Sequence, residues 1–208
     1  MFMEVNVTIP AGERQKLGWM LAGIKQGVPK VLTSSINNSL IPTRTFATKQ
    51  IGQIMNLKAA RIRSDFIIKK ASFLDISGAL HSSGDPVGLI QFGARELKTG
   101  ISVKVLKGAG TQKFRHAFIA KGNGRTTVKH MFERVRKAGV PYGKPVDPRK
   151  KYGKLPKKYR FKVNRMTGPR IQDVYARPGL YDKVTQFAVE KQAEQMDVLT
   201  ERLIKRYG

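Results

Sequence analysis

The stretch Ile101-Ser102-Val103-Lys104-Val105-Leu106 alternates at period two, with Ile101, Val103 and Val105 on one face, and Gly108-Ala109-Gly110 closes it. Alternation of this kind marks a strand with one buried face, and a glycine cluster directly after it marks a tight return. The chain continues with Phe114 to Ala120, where Phe114, His116 and Phe118 alternate, then Gly122-Asn123-Gly124, then an extended run from Thr127 to Val135. Extended segments joined by such short loops pair antiparallel, because a parallel pair needs a crossover of a dozen or more residues. The same reading extends upstream to Leu89-Ile90-Gln91-Phe92, closed by Gly93, and to Phe66-Ile67-Ile68. Residues 66–136 are therefore expected to form an antiparallel sheet.

The flanks have helical periodicity. Leu17, Met20, Leu21 and Ile24 recur at helical spacing between Glu13 and Gln26, before Gly27 and Pro29 punctuate the chain. A second helix is expected from about Lys30 to Leu40. Pro42 should start or kink the next segment, whose stripe is Phe46, Ala47, Ile51 and Ile54. Asn56 is placed to cap a short helix over 57–63, since its side chain can accept from an orphan N–H. Residues 1–64 thus read as mainly helical, apart from a short strand or arm over 1–10. At the other end, Gly168-Pro169 reads as a turn and Pro178 suits a first helical position. From there Leu180, Val184, Phe187, Ala188, Met196, Leu199 and Leu203 form an apolar stripe to the end of the chain. With helices at both ends of an antiparallel sheet the class is α+β: one domain with a C-terminal helix over 178–207.

Charge is the dominant compositional fact. The 208 residues carry 40 Lys+Arg against 14 Asp+Glu, a net charge of +26. Residues 98–165 hold 21 basic and 2 acidic side chains, net +19, whereas residues 166–208 hold 7 and 6, net +1. So large an excess repels itself unless a polyanion or an acidic partner offsets it. Most of it belongs to one segment. From 137 to 160 the periodicity disappears, and Gly and Pro alternate with cations, so this stretch reads as an extended basic loop or arm. There Arg149, Lys150, Lys151, Lys154, Lys157, Lys158 and Arg160 are interleaved with Tyr142, Tyr152 and Tyr159, and Phe161 follows. Cations neutralise phosphates and aromatics stack on exposed bases. Together with Lys107 and Arg125 at the glycine turns, these seven are the candidate contacts to nucleic acid or to an acidic protein. Val184, Phe187, Leu199 and Leu203 are the candidate contacts between subunits, because the nearly neutral C-terminal helix avoids repulsion between cationic copies.

Reactive chemistry is poorly represented. There is no Cys, and His81, His116 and His130 are isolated. No His-Glu-x-x-His, Gly-x-Ser-x-Gly or P-loop pattern occurs. A nuclease would need convergent carboxylates for Mg²⁺, but Asp65, Asp75, Asp85 and Glu96 fall on separate elements. No catalytic residue, metal or cofactor is expected. No run approaches the length of a membrane-spanning helix, and the N-terminus lacks the pattern of a secretory signal. A chain made in a cytoplasm is expected, without membrane contact.

Dispersed motifs carry a resemblance. In order they are Asn56-Leu57-Lys58-Ala59-Ala60-Arg61-Ile62-Arg63, Ile68-Lys69-Lys70-Ala71-Ser72, Leu89-Ile90-Gln91-Phe92-Gly93-Ala94-Arg95, Lys98-Thr99-Gly100-Ile101-Ser102-Val103-Lys104-Val105, Lys107-Gly108, His116-Ala117-Phe118-Ile119-Ala120, and Gly168-Pro169 before a terminal helix. This order resembles the prophage minor tail protein Z family of long-tailed bacteriophages, over most of residues 30–205. The first 25 or so residues and the 139–160 arm depart from the pattern. The resemblance implies a structural minor tail protein that completes the head-proximal end of the tail or neck. It would be one subunit of a homo-oligomeric ring around the genome channel, in contact with tail terminator, tail tube or connector proteins, and the cationic excess read from composition would then face either genomic DNA or acidic neighbouring rings. The implied location is the virion, after assembly in the host cytoplasm. The resemblance carries no catalytic residues. The alternative, from a different class, is a non-specific nucleic-acid-binding protein such as a ribosomal protein, for which +26 and a basic arm are equally natural.

Overall fold

A computed structural model describes residues 4–7, 9, 11–24, 26–121, 128–135 and 162–207. These residues form an α+β structure with antiparallel sheets and a long C-terminal helix, as the periodicities predict. They divide into two compact units, Met1–Pro86 with Pro169–Gly208, and Val87–Gly168.

The first unit begins with β1 (Glu4–Val7) and α1 (Ala11–Met20). Next come α2 (Gly27–Ile54) and α3 (Ala59–Asp65), then β2 (Phe66–Lys69) and β3 (Gly78–Ser82). β3 is the centre of a three-stranded antiparallel sheet, with β1 on one edge and β2 on the other. Its register sets Leu80 opposite both Val5 and Ile68. α2 lies against the sheet, and the close approach is possible because Gly78 has no side chain. A Cβ there would collide with the Ile36 side chain and crowd Leu40. Ile36, Leu40 and Leu80 are fully buried at this contact.

α2 departs most from the sequence reading. Gly27, Pro29 and Pro42 do not separate helices; they lie within one helix of 28 residues. Gly27 and Pro29 occupy its first turn, where a missing N–H leaves nothing unsatisfied. Pro42 is interior and cannot donate to the Asn38 carbonyl, which costs about 3 kcal/mol in an isolated helix. Burial on several sides offsets that cost. The buried residues Gly27, Val31, Ser35, Ser39, Thr43, Ala47 and Ile51 fall at every fourth position. The hydroxyls in this row satisfy themselves: Ser35 Oγ donates to the Leu32 carbonyl at 2.9 Å, Ser39 Oγ to Ile36 at 2.8 Å and Thr43 Oγ1 to Ser39 at 2.7 Å. α3 also differs, starting at Ala59 after Lys58 with no side-chain cap, so Asn56 is not its N-cap.

The second unit contains β4 (Pro86–Gly88), a 3₁₀ turn over Leu89–Phe92, β5 (Arg95–Leu97), β6 (Gly100–Val103), β7 (Gln112–Phe114), β8 (Ala117–Lys121), β9 (Lys129–Val135), β10 (Lys162–Arg165) and β11 (Thr167–Arg170). The chain crosses between units within β4 and β11. The expected single sheet is instead several small ones. β5-β6-β7 and β8-β9-β10 are separate three-stranded sheets. Ile101 and Val103 are buried, as their alternation requires. The segment 114–120 is not one partner strand: β7 pairs with β6, a turn at Arg115-His116 follows, and β8 pairs with β9. Leu89–Phe92 is helical rather than extended, because a four-residue apolar run does not distinguish the two. Gly168 lies in β11 rather than in a turn, with the Phe92 ring filling the space where a Cβ would be. The Gly122-Asn123-Gly124 turn and the 137–160 arm lie outside the described residues.

Two helices complete the first unit. α4 (Ile171–Tyr175) is too short for its periodicity to show in sequence. α5 (Leu180–Tyr207) begins after Pro178 and Gly179, Gly179 having φ 79°, so Pro178 precedes the helix instead of opening it. Tyr175 is fully buried, edge-on to Phe66 at 5.5 Å and to Tyr181 at 5.9 Å. Its hydroxyl has no hydrogen-bond partner, and burial drives its pKa well above the ordinary tyrosine value. The unfolded chain therefore releases this proton at lower pH than the folded chain, and stability falls as pH rises beyond about 10. Tyr175→Phe removes an unsatisfied hydroxyl without creating a cavity. Urea denaturation should show it as stable as the wild type or more stable by about 1 kcal/mol at pH 7, with less loss of stability between pH 9.5 and 11.

Candidate assembly and polyanion-contact surfaces

The division of charge follows the division into units. Val87–Gly168 holds 22 basic and 3 acidic side chains, net +19, and the remaining residues hold 18 and 11, net +7. Over the described residues of the second unit the sequence sets eleven cations against two carboxylates, Glu96 and Glu133. Most of those cations cannot be neutralised within the unit. Lys107 is exposed in the turn after β6, where the Ala109 N–H donates to the Leu106 carbonyl at 3.2 Å. Arg95, Lys98, Lys113, Arg115, Lys121 and Lys129 are exposed on the strands and turns of the same unit and extend the cationic surface beyond the residues expected from sequence. Their individual signal was weak because each sits alone in a strand or turn. Arg125, Arg149, Lys150, Lys151, Lys154, Lys157, Lys158 and Arg160 lie outside the described residues.

The carboxylates do not converge. Asp65 is buried at the end of α3. Its Oδ2 accepts from Ser82 Oγ at 2.5 Å and its Oδ1 from Ser83 Oγ at 2.6 Å, and Arg61 Nη1 lies 3.7 Å from Oδ1. These contacts tie α3 to the end of β3, a structural use of the group. Asp75 is exposed and accepts from Ser77 Oγ at 2.5 Å, which lowers its pKa; Lys69 Nζ is 3.5 Å away. Asp85 and Glu96 are exposed elsewhere. Among the described residues no three His, Cys, Asp or Glu side chains are grouped to hold a metal ion. Nor is any described helix long and apolar enough to cross a membrane. Of the histidines, His81 lies 3.3 Å from Glu4 across β3 and β1, and His130 packs edge-on to Phe132.

The four expected subunit-contact residues separate into two pairs. α5 buries Leu180, Val184, Ala188, Gln192, Met196 and Thr200, again at every fourth position. Its principal neighbour is α2. Phe46 stacks on Phe187 at 4.3 Å between ring centroids, and Asn38 Nδ2 donates to Gln195 Oε1 at 3.3 Å. The two pairs step in opposite directions along the helices, which therefore run antiparallel. Val184 is fully buried within its own chain, so it is not free for a neighbour, whereas Phe187 is half-buried with its ring stacked on Phe46. Leu199 and Leu203 are half-buried and line an open groove of about 180 Å³ with Val31 and Tyr207. Lys30, Arg202 and Arg206 border it. A larger cleft of about 440 Å³ lies between α1 and α5.

Comparison with protein-family models, curated proteins and solved structures finds no match.

These placements separate two kinds of variant. Phe187→Ala should lower the stability of the isolated subunit by about 2 kcal/mol, since it removes a stacked ring from a helix–helix contact. Leu203→Ser should change it by less than about 1 kcal/mol. Chemical denaturation of both, monitored by circular dichroism, checks the assignment; equal losses would contradict it.

Proposed function

We propose that the chain is a non-enzymatic structural subunit of a bacteriophage tail, completing its head-proximal end or neck as one member of a ring around the genome channel. The observation that carries this reading is the confinement of +19 of the +26 charge to Val87–Gly168, while the helical unit carries +7. Repeating such a subunit around a ring concentrates cations that repel one another unless a polyanion or an acidic ring of neighbouring protein faces them. A unit dominated by the α2–α5 contact supplies a less cationic surface for contact between copies. The motif order from Asn56 to Gly168-Pro169 supports the phage assignment. Tail terminator, tail tube or connector proteins are the proposed neighbours, with genomic DNA as the lumenal polyanion.

The second reading, a non-specific nucleic-acid-binding protein such as a ribosomal protein, is favoured by Tyr142, Tyr152, Tyr159 and Phe161 among the cations of the basic segment. Fractionation separates the two. The tail reading predicts that the protein sediments with virions and stays with tails after the heads are removed. Co-sedimentation with ribosomes instead would favour the second.

Neutralising Lys150, Lys151, Lys154, Lys157 and Lys158 together to Gln should leave the circular dichroism spectrum and melting temperature of the purified chain unchanged. It should reduce the yield of particles that deliver DNA by roughly tenfold or more. If DNA is the contact, the slope of log affinity against log salt should fall by up to about 4.5, since each phosphate contact contributes about 0.9. An unfolded variant would place these lysines in the core and contradict the assignment.

A further inference from the structure

Between β2 and β3 the chain projects a loop whose tip is apolar. Phe73 is 59% exposed and Leu74 completely so. A mobile tip would lose substantial conformational entropy on binding, but this one is braced. Asn37 on α2 holds Ala71 through two hydrogen bonds, Ala71 N–H to Asn37 Oδ1 at 2.8 Å and Asn37 Nδ2 to the Ala71 carbonyl at 3.0 Å. Ser72 and Asp75 close the tip: Ser72 N–H donates to the Asp75 carbonyl at 2.8 Å and Asp75 N–H to Ser72 Oγ at 3.1 Å. Ser77 then fixes the Asp75 carboxylate and favours its ionised form. Two adjacent pairs of large apolar side chains are exposed among the described residues, Trp19-Met20 and Phe73-Leu74. Only in the second does a carboxylate follow directly in the sequence, the exposed Asp75, whose Oδ2 lies 3.5 Å from Lys69 Nζ.

The groove between α2 and α5 is complementary to this tip. Val31, Leu199 and Leu203 supply apolar walls, and Lys30, Arg202 and Arg206 supply a cationic border with no carboxylate among the lining residues. Its volume of about 180 Å³ is enough for one large side chain, since an apolar cavity of about 150 Å³ holds a benzene ring.

We infer that the Phe73-Leu74-Asp75 tip of one copy of this chain docks into the Leu199/Leu203 groove of a second copy, with Leu74 in the groove and Asp75 against the cationic border. Tip and groove are different patches of one molecule, so the contact is heterologous. It closes into a ring or grows into a filament, unless two copies engage reciprocally. The contact specifies the partner surface for the assembly proposed above and rests on that reading for its place in a ring. The test uses purified protein, so its failure leaves the tail location standing, and failure of the tail location leaves the contact standing.

The full chain, freed of nucleic acid, is examined by sedimentation velocity over a concentration series in 0.5 M NaCl, where repulsion is screened to within a few ångströms and polyanion bridging is suppressed. The wild type should self-associate. Leu74→Asp and Leu203→Asp, each with a native circular dichroism spectrum, should weaken association roughly tenfold or more, as loss of a central apolar anchor does. An equal mixture of the two should recover association and stop at the dimer, because only one intact tip and one intact groove can meet. Arg202→Glu, on the exposed border, replaces Leu203→Asp should the latter fail to fold. A wild type that is monomeric at every concentration, or association indifferent to Leu74→Asp, would overturn the contact.

Discussion

The first unit depends on a single helix buried on more than one side. α2 meets the β1-β3-β2 sheet through the gap left by Gly78 and meets α5 through Phe46 and Asn38. A helix so placed must bury residues around much of its circumference, and a polar residue buried without a partner is costly. Ser35, Ser39, Thr43 and Thr48 avoid that cost by donating to carbonyls of their own helix, with distances of 2.7–2.9 Å. They present only small, satisfied surfaces to their neighbours. Thr200 on α5 does the same, donating to Met196 at 2.8 Å. Side chains at every fourth position form a ridge inclined to the helix axis, and both long helices bury such a row.

This arrangement uses up part of the described helical surface and leaves another part open. The upper part of the α5 stripe, Leu180 to Ala188, is consumed within the subunit. The last two turns are less enclosed, and there Leu199 and Leu203 stay accessible beside cations. The second unit is built on a different economy of burial: small sheets with short strands and an excess of exposed cations. Strong charge destabilises a compact state through self-repulsion, so concentrating it in a distinct unit spares the helical core. A subunit divided in this way suits an assembly in which one part holds neighbours and the other faces a polyanion.

Much of this was legible in the amino-acid pattern. The C-terminal helix was, because Leu180, Val184, Ala188 and Met196 keep helical spacing over many turns. Strand β6 was too, because Ile101 and Val103 alternate with polar neighbours. α2 was not legible as one helix. Serines and threonines dilute its apolar pattern, and prolines that usually end helices are tolerated here by position or by tertiary contact. The division of the sheets was also hidden, since pairing of β1 with β3 joins residues far apart in sequence, as with Val5 and Leu80. At the candidate surfaces, Leu199 and Leu203 were recognisable from their stripe. Val184 and Phe187 belong to the same stripe, and only the position of α2 distinguishes them. The exposed tip at Phe73-Leu74 carries no periodic signal, and its rigidity comes from Asn37, which lies 34 residues from Ala71 in sequence.

The central claim is a spatial one: the cationic unit faces a polyanion or an acidic ring, and the helical unit holds the neighbouring copies. A cryo-electron microscopy reconstruction of native virions tests it most directly. The account predicts a ring of this chain at the head-proximal end of the tail, with Val87–Gly168 toward DNA or an acidic neighbouring ring and α5 at the contact between copies. A reconstruction that lacks the chain at that end, or that turns Val87–Gly168 toward solvent with no anionic partner, would contradict it.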